Sequence, residues 1–242
     1  MATTEPGLSR FAPDGTPVAT LEVLGAENID WEDIDSFELD GKHYLLVADT
    51  GDNGGIRKTL NLIVFEEPTR LNDGDSIRPA WTTTFRWPDG ARDCEATAVD
   101  AAAGEVLLIS KKRVPPDVFR LPLRAREGHQ TAERVATLSG ISQPSEAELK
   151  KNPVYGRYRS QVSGADLSPN GRVLAVLNYH SVYLYVRAPG QDWTRAVQSQ
   201  PGRLVFPWLP QAEGIAFSND GRSLLIASEK RPAPLFMFRI VK

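Results

Sequence analysis

Carboxylates recur at matched places along the chain. "NIDWEDIDSF" (28–37) sets Asp30, Glu32, Asp33 and Asp35 at the mouth of a strand. "DCEATAVD" (93–100), "VSGADLSPNGR" (162–172) and "AEGIAFSNDGR" (212–222) repeat the arrangement with Asp93 and Glu95, with Asp166, and with Glu213. An acidic run on a turn is ordinarily a solvated face. Acids at equivalent strand starts can instead converge, and carboxylates crowded together cannot all ionise unpaired. Two solutions fit. A hard cation, Ca²⁺ first among them, takes roughly six to eight oxygens, which Glu32, Glu95, Asp166, Asn178 and Glu213 could supply. Alternatively Lys111 and Lys230 reach in and pair the acids directly, with Lys112 just beyond.

Other residues of the same neighbourhood could act on a ligand. The ends of the following strands carry Asp49, Lys111, Asn178 and Glu229 at corresponding points, so the expected rim comprises Asp30, Asp49, Asp52, Asn53, Asp93, Glu229 and Lys230. "DTGDN" (49–53) is oxygen-rich and resembles acidic Ca²⁺ loops, but its spacing matches no full EF-hand, and an Asx-type turn between strands is the preferred reading, with a place at the channel mouth left open. His180 in "LNYHS" titrates near neutrality and could serve as a general base, with Glu95 as a second proton acceptor and Lys111 steadying negative charge. A hydrogen-bonded turn histidine is the plainer alternative. His43 and His129 lie in polar turn-like stretches and receive no role. Cys94 reads as core packing. The five tryptophans read as packing between blades rather than as a platform for a ligand. No P-loop, dinucleotide fingerprint, Ser-elbow or zinc-protease motif is present.

The elements that must position these groups are short strands. Each acidic start is followed by a Gly-bearing turn ("DGK", "AGE", "NGR", "DGR") and an apolar strand ("YLLVA", "VLLIS", "VLAVL", "SLLIA"). Asn/Asp-Gly pairs provide the positive φ of tight hairpins. The unbroken apolar runs imply burial on both faces. A third strand follows each unit, and outer strands fit "AWTTTFRWP", "AERVATLSG" and "GRLVFPW". "PSEAELKKN" (144–152) is the best helix candidate, with Ser145 and Glu148 forming a capping box. Glu32, Glu95, Gly164 and Glu213 serve as equivalent positions, at intervals of about 63, 69 and 49 residues. Repeats of this kind predict a β-propeller of four-stranded blades in one domain over 1–242, with blade cores near 30–87, 93–138, 162–208 and 211–242. The spacing predicts four blades, the last completed by the strand at 16–25, with five or more possible and 139–161 a place where an irregular fifth could lie. A two-sheet sandwich is the structural alternative.

The "NIDWEDID…YLLVADTGDN", "DCEATAVD" and "AEGIAFSNDGRSLLIASE" elements resemble those of a family of bacterial propeller proteins similar to β-propeller phytases and esterase-like propellers. The resemblance implies the fold over about residues 16–240, and a hydrolytic activity on a phosphoester, ester or lactone. Net charge of −3 gives no footprint for nucleic acid or anionic membrane. One cysteine excludes an internal disulfide framework, and a soluble protein of undetermined compartment is expected. Three functions remain open: a cation-dependent hydrolase, a non-catalytic binder of a small polar or anionic ligand, and a scaffold for a protein partner. A monomer is expected.

Overall fold

Short runs rich in Val, Leu, Ile and Thr become strands because branched and aromatic side chains pack well on a pleated surface, while Gly, Asp and Asn between them supply turns. The computed structural model describes residues 6–124, 128–230 and 234–240. It begins with β1 (Gly7–Phe11), β2 (Pro17–Val23), β3 (Trp31–Leu39), β4 (Lys42–Asp49), β5 (Leu60–Glu66), β6 (Ser76–Ile77) and β7 (Trp81–Arg86). There follow β8 (Cys94–Asp100), β9 (Glu105–Ser110), β10 (Asp117–Pro122), β11 (Gln130–Thr131), β12 (Glu133–Thr137) and α1 (Glu146–Lys151). Then come β13 (Val162–Leu167), β14 (Val173–Asn178), β15 (Ser181–Val186), α2 (Trp193–Ala196) and β16 (Gly202–Val205). The last three strands are β17 (Ala212–Phe217), β18 (Ser223–Ser228) and β19 (Phe236–Arg239).

These strands form five sheets, ordered β1–β2–β6, β11–β7–β5–β4–β3, β12–β10–β9–β8, β13–β14–β15–β16 and β17–β18–β19. The architecture is a five-bladed β-propeller. β3, β8, β13 and β17 are the inner strands, each packed beside the next. Four apolar clusters fill the spaces between successive sheets. Leu46, Leu62 and Phe85 meet Leu108 and Phe119 between the second and third sheets. Ile109 and Val118 meet Val176 and Tyr185 between the third and fourth. Leu177 and Val182 meet Ile215 and Ile226 between the fourth and fifth. The outer face of the fifth sheet leaves Met237 exposed.

Two details differ from the spacing-based expectation. The sheet additional to the four repeats is the first, at the N-terminal end, and not one within 139–161, where α1 and a 3-10 turn (Gly156–Tyr158) sit. The strand at 16–25 does not complete the last blade. β2 pairs antiparallel with β1 and parallel with β6. Its buried Leu21 and Val23 then cover Val47, Ile63 and Phe65 of the second sheet. Pairing with a neighbour across a short turn costs less loop entropy than closing a ring across the whole chain. The helix expectation is met: Ser145 and Glu148 cap α1 reciprocally. Residues 231–233 and 241–242 of the expected last blade lie outside the described residues.

Candidate functional site

Every inner strand carries one extra residue near its start. The pairing registers slip between Trp31 and Asp33, Cys94 and Ala96, Val162 and Gly164, and Ala212 and Gly214. The skipped residues are Glu32, Glu95, Ser163 and Glu213. A bulge frees its residue from ladder pairing and re-aims its side chain. The equivalent of the three glutamates in the fourth sheet is therefore Ser163, not Gly164, and its hydroxyl donates to the Ala212 carbonyl at 2.6 Å. Gly164 serves packing: a Cβ there would lie 2.7 Å from the Glu213 carbonyl oxygen.

The registers also shift the second level. Asp49, Ser110, Asn178 and Ser228 face the residue before each bulge. Lys111 and Glu229 lie one residue further, in line with Tyr179. Since side chains alternate faces along a strand, this one-residue difference separates their roles. Asn178 turns to the backbone, where its Oδ1 accepts from the His180 and Ser181 amides at 3.0 and 2.8 Å. Tyr179 lines a cleft instead and donates to Glu213 Oε1 at 2.9 Å.

Glu32, Asp93 and Glu95 form the tightest acidic group, each offering an oxygen within 4.8 Å of the others. Burial, aided by Asp30, pushes the Glu32 carboxyl up to about 8, although Lys111 opposes the shift. Burial and Asp93 raise Asp30 as well. Lys111 Nζ pairs with Glu95 Oε1. Lys112 Nζ approaches Asp93 Oδ2 at 3.0 Å and donates to the Asn53 carbonyl at 3.0 Å. Asp93 Oδ2 and Glu95 Oε2 are nevertheless buried with no directed hydrogen bond. Glu213 is close enough for its charge to raise Glu32, and burial raises its own carboxyl.

The remaining predicted residues are spread around this group. Asp166 sits deeper, accepting from the Leu167 and Phe217 amides at 2.8 and 2.6 Å. Near it, Asp33 accepts from the Thr97 amide at 2.8 Å and Asp35 from the Thr97 hydroxyl at 2.7 Å. Burial lifts Asp33 to about 7, Asp166 to about 6 and Asp35 well above the usual carboxylate range. The DTGDN loop is a connector. Asp49 accepts from Arg57 at 2.6 Å, and Asp52 accepts from the Ile56 and Arg57 amides at 2.9 and 3.0 Å. The Asp52 amide donates to Asp93 Oδ1 at 2.8 Å, fastening this loop to the third sheet. Gly51 lies close beneath the acids: a Cβ there would come within 2.3 Å of the Glu32 carboxylate and 2.4 Å of that of Asp30, so both side chains would have to shift. Glu229 is occupied by Gln211 at 2.6 Å.

Above the acids opens a cleft of about 910 Å³. Lys111, Lys112, Arg159 and Lys230 line it, with His180 among them. Burial and the nearby Arg159 and Arg203 hold the His180 imidazole below its ordinary pKa. Tyr155, Tyr158, Tyr179, Phe206 and Trp208 supply aromatic surface. Sequence reasoning missed most of this wall. Trp208 is exposed rather than packed between blades, whereas Trp87 and Trp193 are buried. The signal available was "NPVYGRYRSQ" (152–161), which collects aromatic and basic residues in a stretch without strand character. Comparison of the chain with protein-family models found no match, and comparison with curated proteins found none either.

Proposed function

We propose that the protein is a divalent-cation-dependent hydrolase of a small anionic phosphoester, ester or lactone, acting where the cleft meets the acidic group. The observation that carries this reading is Glu95 Oε2, a buried carboxylate oxygen that accepts no hydrogen bond, inside the Glu32–Asp93–Glu95 cluster, where Asp93 Oδ2 has only the Lys112 ammonium beside it. Buried polar atoms are normally satisfied, and an acceptor-only group is satisfied by a cation. Glu32, Asp93 and Glu95 would hold the ion, with Ca²⁺ the leading candidate. When bound, the ion supplies Lewis acidity and offsets the charge of the acids. Lys111 and Lys112 then face the anionic end of the substrate. His180, unprotonated at neutral pH, accepts the proton of the attacking water and returns it to the departing oxygen, so that ester and water give acid and alcohol.

The ion pair between Lys111 and Glu95 favours a second reading, a non-catalytic binding site whose acids are wired by lysines. A thermal melt of chelated protein with Ca²⁺, Mg²⁺, Mn²⁺ or Zn²⁺ added singly separates the two. A ligand of the folded state raises the melting point by mass action. The hydrolase reading expects a rise with one cation, lost in Glu32→Gln and Glu95→Gln. It also expects cation-dependent turnover that His180→Ala lowers by about 10²-fold or more. No shift with any cation and no turnover across phosphoester, ester and lactone panels would leave the binding reading in its place.

A further inference from the structure

The cleft carries a charge that runs against the rest of the chain. The protein has a net charge of −3, yet four cations line this cleft and, among the described residues, no carboxylate does. Lys111 is held by Glu95 and Lys112 by Asp93 and Asn53. The other two are loosely held. Arg159 has Glu148 at 3.7 Å, and Lys230 Nζ has no ion-pair partner among the described residues. Like charges gathered in one concavity favour an anion between them, and guanidinium matches phosphate in a fork.

The same cleft shows large rings to solvent. Trp208 is 80% exposed and Tyr155 69% exposed. Aromatic faces of this size stack on planar ligands and gain from leaving water. A cleft of about 910 Å³ is far larger than a lone phosphate and suits a whole small molecule.

We propose that the cleft binds an anionic aromatic small molecule, a planar ring carrying a phosphate monoester, with Trp208 and Tyr155 covering the ring and Lys230 and Arg159 holding the phosphate. This rests on the cleft being the binding site, as proposed above, but not on the cation beneath it. The test is calorimetric titration of the chelated 242-residue chain with adenosine 5′-monophosphate and with phenyl phosphate, beside adenosine and inorganic phosphate. At least one aromatic phosphate saturates, and its uncharged or ring-free counterpart binds about tenfold more weakly or less. Trp208→Ala and Lys230→Ala, both at exposed positions and checked by an unchanged melt, each weaken that binding about tenfold.

Three results would overturn the assignment. These are no saturable binding of either aromatic phosphate, adenosine or phosphate binding as tightly as the combined molecule, and indifference to both substitutions. Because binding is read on chelated protein, intact binding together with no turnover after Ca²⁺, Mg²⁺, Mn²⁺ or Zn²⁺ is restored would remove the hydrolase reading alone.

Discussion

Three carboxyls near the axis shape the acid–base behaviour of this chain from within. Asp33 and the buried Asp35 share Thr97, Asp166 lies close enough for its charge to raise both, and all three hold their protons to higher pH than an exposed acid. Such a group binds its proton more tightly folded than unfolded. Its stabilising effect is therefore complete below the unfolded pKa and is lost as pH rises through the folded value. Asp166 loses its share between 3.8 and about 6, and Asp35 does so at higher pH. The chelated protein should melt at lower temperature as pH rises from about 4 to about 8. Asp35→Asn keeps an acceptor for the Thr97 hydroxyl and is neutral in both states. It should raise the melting point near pH 8, do little near pH 4, and so flatten the profile. A parallel pair of melting curves would mean that Asp35 is ionised in the fold. At this scale the sequence was legible in part. Glu32, Glu95 and Glu213 were found because their flanking repeats align, whereas Tyr179 and Ser163 were displaced by one position each because a bulge leaves no mark in residue type.

The bulges are the elements that set the depth of each inner strand, and their neighbours are correspondingly confined. Gly164 sits where the fourth and fifth sheets touch, with the Glu213 backbone within 2.7 Å of any added Cβ. The obstacle is main chain, which cannot rotate aside as a side-chain end can. Gly164→Ala should cost about 1–3 kcal/mol through overpacking, read as a lower denaturant midpoint with an unchanged slope. An unchanged midpoint would show that the two inner strands have room to part. Turn chemistry was well marked in the sequence at this scale. Asp40 and Gly41 both take positive φ, as "DGK" implies for a two-residue hairpin. The wall formed by residues 152–161 was not legible, because its shape depends on docking against the blades rather than on any local period.

For the whole molecule, the question is how firmly the N-terminal sheet belongs to the propeller. Leu21 is 5% exposed and packs with Val47, Ile63 and Phe65 of the next sheet. If this sheet is an integral blade, Leu21→Ala should cost about 2–5 kcal/mol, as a buried leucine does. A loss well below that range in a urea melt would identify the sheet as a flap that can lift off while the rest stays folded. The propeller class was legible because four hairpin repeats share their punctuation. The blade number was not, since the first sheet lacks the acidic start and apolar hairpin by which the others were recognised.

The bulge gives the inner strands a property that reaches beyond this one chain. Glu32, Glu95, Ser163 and Glu213 stand outside the ladders, so pairing places no demand on their identity. The fold thus maintains four addresses while leaving their occupants open to drift. A lineage could exchange glutamate for serine or another side chain at one address without disturbing the register of any strand. Chemistry at the mouth can then be rewritten one substitution at a time, with inheritance of the scaffold kept separate from inheritance of the task.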